Sequence, residues 1–162
     1  MSLTAVSWNC HRRAIALALA FVFPLAAAAS EPLVGTWRLE RQELNGEKVN
    51  FEPLTLKISQ SGAQLTFAFS VPVNSVYFVS MSYTLSLNGS EADIKNGRGE
   101  KVGTIQMKND GPSQYRLVMK GPNHPDSSGK LLVSLDGKSL TSDADSEQSG
   151  RTVHSRQVFS RY

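Results

Sequence analysis

The feature that most constrains this chain is an alternation of period two. Between residues 77 and 87 the odd positions are Tyr77, Val79, Met81, Tyr83, Leu85 and Leu87, while Ser80, Ser82, Thr84 and Ser86 lie between them. In an extended chain successive side chains point to opposite faces, so such a run buries one face and leaves the other in water. Shorter runs repeat the pattern: Trp37 and Leu39; Leu54, Leu56 and Ile58; Leu65, Phe67, Phe69 and Val71; Ile105 and Met107; Tyr115, Leu117 and Met119; Leu131, Val133 and Leu135. No comparable helical periodicity follows residue 30. Turn signals fall between the runs at Asn45-Gly46, Ser61-Gly62, Asn88-Gly89, Asn96-Gly97, Asp110-Gly111, Asp136-Gly137 and Ser149-Gly150, the punctuation of an antiparallel meander. The expected fold is all-β, an antiparallel meander of about eight to ten strands that closes into a barrel and so removes its exposed edges. The same pattern accommodates an open two-sheet sandwich. Residues 121–129, with Pro122, His124 and Pro125, read as an irregular rim loop.

Residues 1–30 are of another kind. They hold Arg12 and Arg13 but no acid, then an apolar run over residues 14–25, then four alanines and Ser30. A basic start, a hydrophobic stretch too short to span a bilayer comfortably and a small-residue cleavage site make a signal peptide, cut after Ala28, Ala29 or Ser30. The expected organisation is therefore a cleaved signal over residues 1–30 and one barrel domain over 31–162, secreted or periplasmic, with no membrane span after cleavage.

Charge and cysteine usage then change meaning. The 162-residue chain carries a formal charge of +3, but residues 31–162 hold 15 basic and 14 acidic side chains, a net charge of +1. No run of Lys or Arg remains to neutralise a line of phosphates, which excludes a nucleic-acid partner. The sole cysteine, Cys10, lies in the leader. The remainder has neither thiol nor disulfide and must rely on an ordinary hydrophobic core.

Near the start of the barrel the chain reads Leu33-Val34-Gly35-Thr36-Trp37-Arg38-Leu39. This resembles the opening strand of the calycin barrels, the lipocalins and fatty-acid-binding proteins, in which the Trp plugs one end. A late Asp-Gly-Lys-x-Leu-Thr hairpin at residues 136–141 and a closing strand at residues 158–162 are similar to those of the small exported lipocalin-like domains common in bacteria. The resemblance implies a lipocalin-like barrel with Trp37 as a structural plug and Arg156 or Arg161 stacked on its indole face. It also implies two departures. Only residues 45–53 separate the first two main strands, leaving no room for the helical lid of the fatty-acid-binding proteins. Their carboxylate-binding Arg-x-Tyr falls here on Gln157 and Phe159, which carry neither the cation nor the hydroxyl.

If the barrel closes, the alternating apolar set points inward, and Phe67, Phe69, Tyr77, Met81, Tyr83, Tyr115 and Met119 become the candidate cavity lining. Such side chains either pack on one another or enclose one small ligand. The buried phenols favour the ligand, since each wants a hydrogen-bond partner. Metal binding is not expected: His124 and His154 are the only histidines outside the leader and have no acid at ligand spacing, and the Asp143, Asp145 and Glu147 run lacks the Gly and terminal Glu of a calcium loop. There is no nucleophile elbow, no His-x-x-x-His pair and no phosphate-cradling glycine loop, so neither an enzyme nor a cofactor is expected. Asn88-Gly89-Ser90 is a formal glycosylation sequon that overlaps a hairpin turn.

Three functions are consistent with these features. The first is a binding protein for a small, largely apolar molecule. The second is a protein-binding barrel, such as an inhibitor of a secreted enzyme, using rim loops at residues 121–129 and the segment 30–34. The third inverts the barrel so that its apolar faces meet lipid; most runs are shorter than the ~9 to 11 residues a membrane strand needs.

Overall fold

A computed structural model of the chain describes residues 30–74, 76–122 and 124–162. The signal-peptide expectation for residues 1–29 lies outside the described residues. Among the described residues eleven strands follow one another: β1 (Gly35–Leu44), β2 (Glu47–Lys48), β3 (Thr55–Ser61), β4 (Gln64–Val73), β5 (Val76–Ser86), β6 (Asn88–Asn96), β7 (Lys101–Gly111), β8 (Gln114–Gly121), β9 (His124–Val133), β10 (Ser139–Gln148) and β11 (Arg151–Arg161). Each main strand pairs antiparallel with its neighbour in sequence, and β11 returns to pair with β1. The sheet thus closes into a ten-strand barrel, with two-residue β2 hanging on β1 outside the ring. Closure excludes the open sandwich.

Local chemistry accounts for the reversals. Asn45-Gly46 and Ser149-Gly150 have positive φ at both residues, as a two-residue hairpin turn requires. The segment expected to be a loop at 121–129 is mostly strand: β9 starts at His124 and bonds to β8 and β10. Pro125 does not prevent this because the ladder pairs skip it, running Gly121 with His124 and then Met119 with Ser127.

The alternation sorts the two faces. Leu39, Leu56, Ile58, Leu65, Phe67, Leu85, Ile105, Met107, Val133, Leu140 and Phe159 are buried inside, while Arg38, Lys57, Lys108 and Arg116 are exposed on the outer face. Apolar side chains pointing inward and charges pointing outward are the reverse of a lipid-facing barrel.

The meander also gives the barrel two unlike ends. The end that receives the chain at Ser30 is plugged. The opposite end carries the reversals after β1, β4, β6, β8 and β10. At the plugged end the segment before β1 folds over the core: Leu33 is buried, its carbonyl accepts a 2.9 Å hydrogen bond from Trp37 Nε1, and Glu31 accepts from the Tyr115 hydroxyl at 3.0 Å. Arg161 then closes the stack. Its guanidinium carbon lies 4.4 Å from the Trp37 ring centroid, and its nitrogens donate to the carbonyls of Val34 and Pro32 at 3.2 and 2.8 Å. A Cβ at Gly35 would sit 3.3 Å from that guanidinium, so glycine leaves the room in which the cation reaches the indole.

Candidate functional site

The open half of the barrel is not filled. A cavity of about 280 Å³ lies there, near the lower end of the ~300–1,000 Å³ typical of small-molecule sites. Its wall has two chemistries. Phe67 and Phe69 on β4, Met81 and Tyr83 on β5, Ile94 on β6, and Leu117 and Met119 on β8 form an apolar side. Ser127 on β9, Ser142, Ala144 and Ser146 on β10, and Ser155 and Gln157 on β11 form a side of small or polar groups, with Lys120 also on the wall. Leu140 and Phe159 make part of the floor.

The void follows from the residues facing it. In β10 the inward series runs Leu140, Ser142, Ala144, Ser146, and in β11 it runs Phe159, Gln157, Ser155 outward from the plugged end. Beyond one turn of large side chains, these strands present groups too short to reach the aromatic wall. Ser155 Oγ donates to the Ala144 carbonyl at 3.3 Å and Ser146 Oγ to the Val153 carbonyl at 3.5 Å, long bonds that a hydroxyl exchanges readily for a better acceptor. Across the cavity Phe67 and Tyr83 stack with centroids 4.8 Å apart and planes 24° from parallel, and Phe69 tilts against Tyr83 at 5.9 Å. The aromatic side is therefore a preassembled surface.

Of the expected lining residues, Phe67, Phe69, Met81, Tyr83 and Met119 face this cavity. Tyr77 does not. Between Phe69 and Ser70 the β4–β5 register shifts, so that Met81 pairs with Phe69 and Val79 with Ser70. Ser80 is the extra residue, its hydroxyl donating to the Phe69 carbonyl at 3.2 Å. One added residue inverts the alternation, and Tyr77 falls on the opposite face, 58% exposed. Tyr115 is inside but at the plugged end, held by Glu31, and not on the cavity wall. Arg161 stacks on Trp37, whereas Arg156 is an odd number of residues away and points outward, its Nε 3.6 Å from Asp143. Gln157 and Phe159, where the resemblance places the fatty-acid-binding pair, do reach the cavity. Apolar alternation alone does not reveal the serine side; the readable signal is the continued alternation of small residues past Leu140.

The outward Asp143 and Asp145 flank His154, whose Nδ1 lies 2.8 Å from Asp145. Acids remote in sequence thus meet this histidine across the β10–β11 ladder, contrary to its isolated look. Among the described residues no group of three His, Cys, Asp or Glu side chains is placed to hold a metal ion.

Burial raises the pKa of Tyr83 above the ordinary phenol value, and burial together with the Glu31 hydrogen bond and charge raises that of Tyr115. Folding thus favours the neutral phenols. The stability they contribute is complete below the unfolded value of about 10 and is lost as pH rises through the elevated folded values. Urea midpoints are expected to hold to about pH 10 and fall above it, with Tyr83→Phe and Tyr115→Phe each flattening the fall. A slope unchanged by both substitutions would contradict this assignment.

The geometry defines a class: a closed antiparallel calycin-like barrel with one plugged end and an amphipathic cavity at the other. A solved structure agrees on the fold. The zebrafish ileal bile acid-binding protein, solved with cholic acid, superposes with a TM-score of 0.56 at 18% identity, over 82% of this chain and 100% of that one. The siderocalin Ex-FABP, described as having dual ligand specificities, gives a TM-score of 0.43 at 14% identity over 82% of this chain and 71% of that one. No protein-family model and no curated protein matches the sequence.

Proposed function

We propose that this barrel binds one small amphipathic molecule, its apolar body against Phe67, Phe69, Met81, Tyr83 and Met119 and its polar groups toward Ser142, Ser146, Ser155 and Gln157. The observation that carries the reading is the divided wall of the cavity. A filled core needs no inward serines, and the hydroxyls of Ser146 and Ser155 make only long bonds to strand carbonyls; a ligand with one polar side offers them better partners. The zebrafish neighbour, a bile acid-binding protein solved with cholic acid, supports the same direction. The reading is binding rather than catalysis, in line with the zebrafish neighbour, a bile acid-binding protein.

Titration with an anilinonaphthalene sulfonate dye tests it. Saturable one-to-one enhancement is expected, reversed by an uncharged sterol or another compact amphipath. A folded sample giving only a linear, non-displaceable signal would remove the proposal.

The protein acts, on this reading, outside the cytoplasm. The basic and apolar leader of residues 1–30 and the cysteine-free remainder support export. N-terminal sequencing of protein recovered outside the cytoplasm is expected to begin at Ala29, Ser30 or Glu31; an intact Met1 there would count against it.

A further inference from the structure

The β4–β5 hairpin is longer than the barrel needs. Pairing of β3 with β4 stops at Ser70, and pairing of β6 with β5 stops at Met81. Beyond these points Val71 with Phe78, Pro72 with Tyr77 and Val73 with Val76 continue as a free two-stranded ribbon at the open end. Three residue pairs extend it by roughly 10 Å.

Two properties of the ribbon point to what covers it. Cross-strand partners share a face, so Val71, Phe78, Val73 and Val76 lie on one side and Pro72, Tyr77 and Val79 on the other. Both sides are apolar. Val73, Val76, Tyr77, Phe78 and Val79 are between 45% and 58% exposed, whereas an ordinary sheet in water keeps one face polar. The second property is charge. Residues 58–90 contain no Asp, Glu, Lys, Arg or His, although exposed edges are ordinarily guarded by charged side chains. A second copy stacked on one face would leave the other wet, and edge-to-edge pairing would leave both wet. A surrounding apolar medium covers both faces at once.

We propose that this ribbon inserts into a zwitterionic lipid surface and holds the open mouth of the barrel against it. Its length matches the ~5–10 Å depth at which interfacial segments bury apolar side chains. Tyr77 is of a type favoured at that level, where its ring meets acyl chains and its hydroxyl meets water. Insertion stops at the headgroup layer because the ribbon edges carry unpaired backbone groups that need water; Pro72 removes one such donor. No charge attraction is involved, so the association is insensitive to salt.

A position-specific fluorophore tests this in the full chain. Cys10→Ser with Phe78→Cys carries a nitrobenzoxadiazole label on the ribbon, and Cys10→Ser with Ser61→Cys carries it at the plugged end. With phosphatidylcholine vesicles, the label at 78 is expected to shift blue, brighten severalfold and be quenched by lipids brominated high on the acyl chain. The label at 61 stays unchanged, which separates the ribbon from attachment through residues 14–25. Val76→Asp with Phe78→Asp, in residues outside the core, is expected to abolish the salt-independent response, reported by a label at Val73→Cys, and to lower vesicle partition roughly tenfold or more. An unresponsive label at 78 at saturating lipid would overturn the proposal. So would a lipid-free dimer in sedimentation that the aspartates dissolve, since that assigns the ribbon to a second copy.

Discussion

Replacing Trp37 by alanine is expected to lower the free energy of unfolding by about 3–5 kcal/mol, a large share of the ~5–15 kcal/mol that holds a typical domain together. Trp37 is fully buried at the plugged end and engages three elements at once. Its indole fills the barrel floor, its Nε1 ties down the Leu33 carbonyl, and its ring carries the Arg161 guanidinium. Alanine leaves a void, an unsatisfied carbonyl and a cation whose aromatic partner is gone. Trp37→Phe restores most of the volume but no donor, and a smaller loss is expected. Arg161→Lys keeps the charge but not the planar fork that reaches the carbonyls of both Val34 and Pro32. Urea unfolding followed by far-ultraviolet circular dichroism measures all three. If Trp37→Ala falls within ~1 kcal/mol of the parent, below the range for a buried Trp truncation, the plug is not what holds this end together.

The second large effect concerns the open half and has the opposite sign for stability. Ser142→Leu and Ala144→Leu place apolar bulk into the cavity from the wall that lacks it. Removing a void and an inward hydroxyl is expected to raise stability by about 0.5–2 kcal/mol, the usual range for cavity filling. Dye affinity is expected to fall at least tenfold, about 1.4 kcal/mol. Loss of binding with gain of stability is a pairing that damage to the fold cannot produce. Binding that survives both substitutions would place the ligand elsewhere, and binding lost together with stability would mean that the cavity wall had been overpacked.

These two halves of one barrel were not equally legible in the sequence. At the plugged end the residues themselves carry the message: Gly35-Thr36-Trp37 and the closing-strand Arg161, six residues past Ser155, keep the parity that brings cation and indole to one face. Arg156 was readable too, since an odd spacing from Arg161 sends it outward. At the open end the apolar series through Phe67, Phe69, Met81 and Tyr83 was legible as an inward face. The serines opposite were legible only by extending the alternation past Leu140.

Tyr77 shows where a periodic reading stops working. Its alternation with Met81 and Tyr83 is perfect in the sequence, yet one bulged residue at Ser80 turns it to the other face. Nothing local in Val79-Ser80-Met81 announces the bulge, because its cause is the pairing of β5 with β4. The approach of Asp143 and Asp145 to His154 is likewise a product of β10–β11 register, across nine to eleven residues of chain.

By itself, the sequence determined the strand content, the two-faced character of each strand and the positions of most reversals, because these depend on side-chain period and on turn chemistry within a few residues. Only the tertiary structure decided that the sheet closes, that half of its interior stays open and that a ribbon reaches past its neighbours. Those features depend on which strand ends meet, how many residues each ladder pairs and what volume faces what, and such quantities arise between segments far apart in the chain.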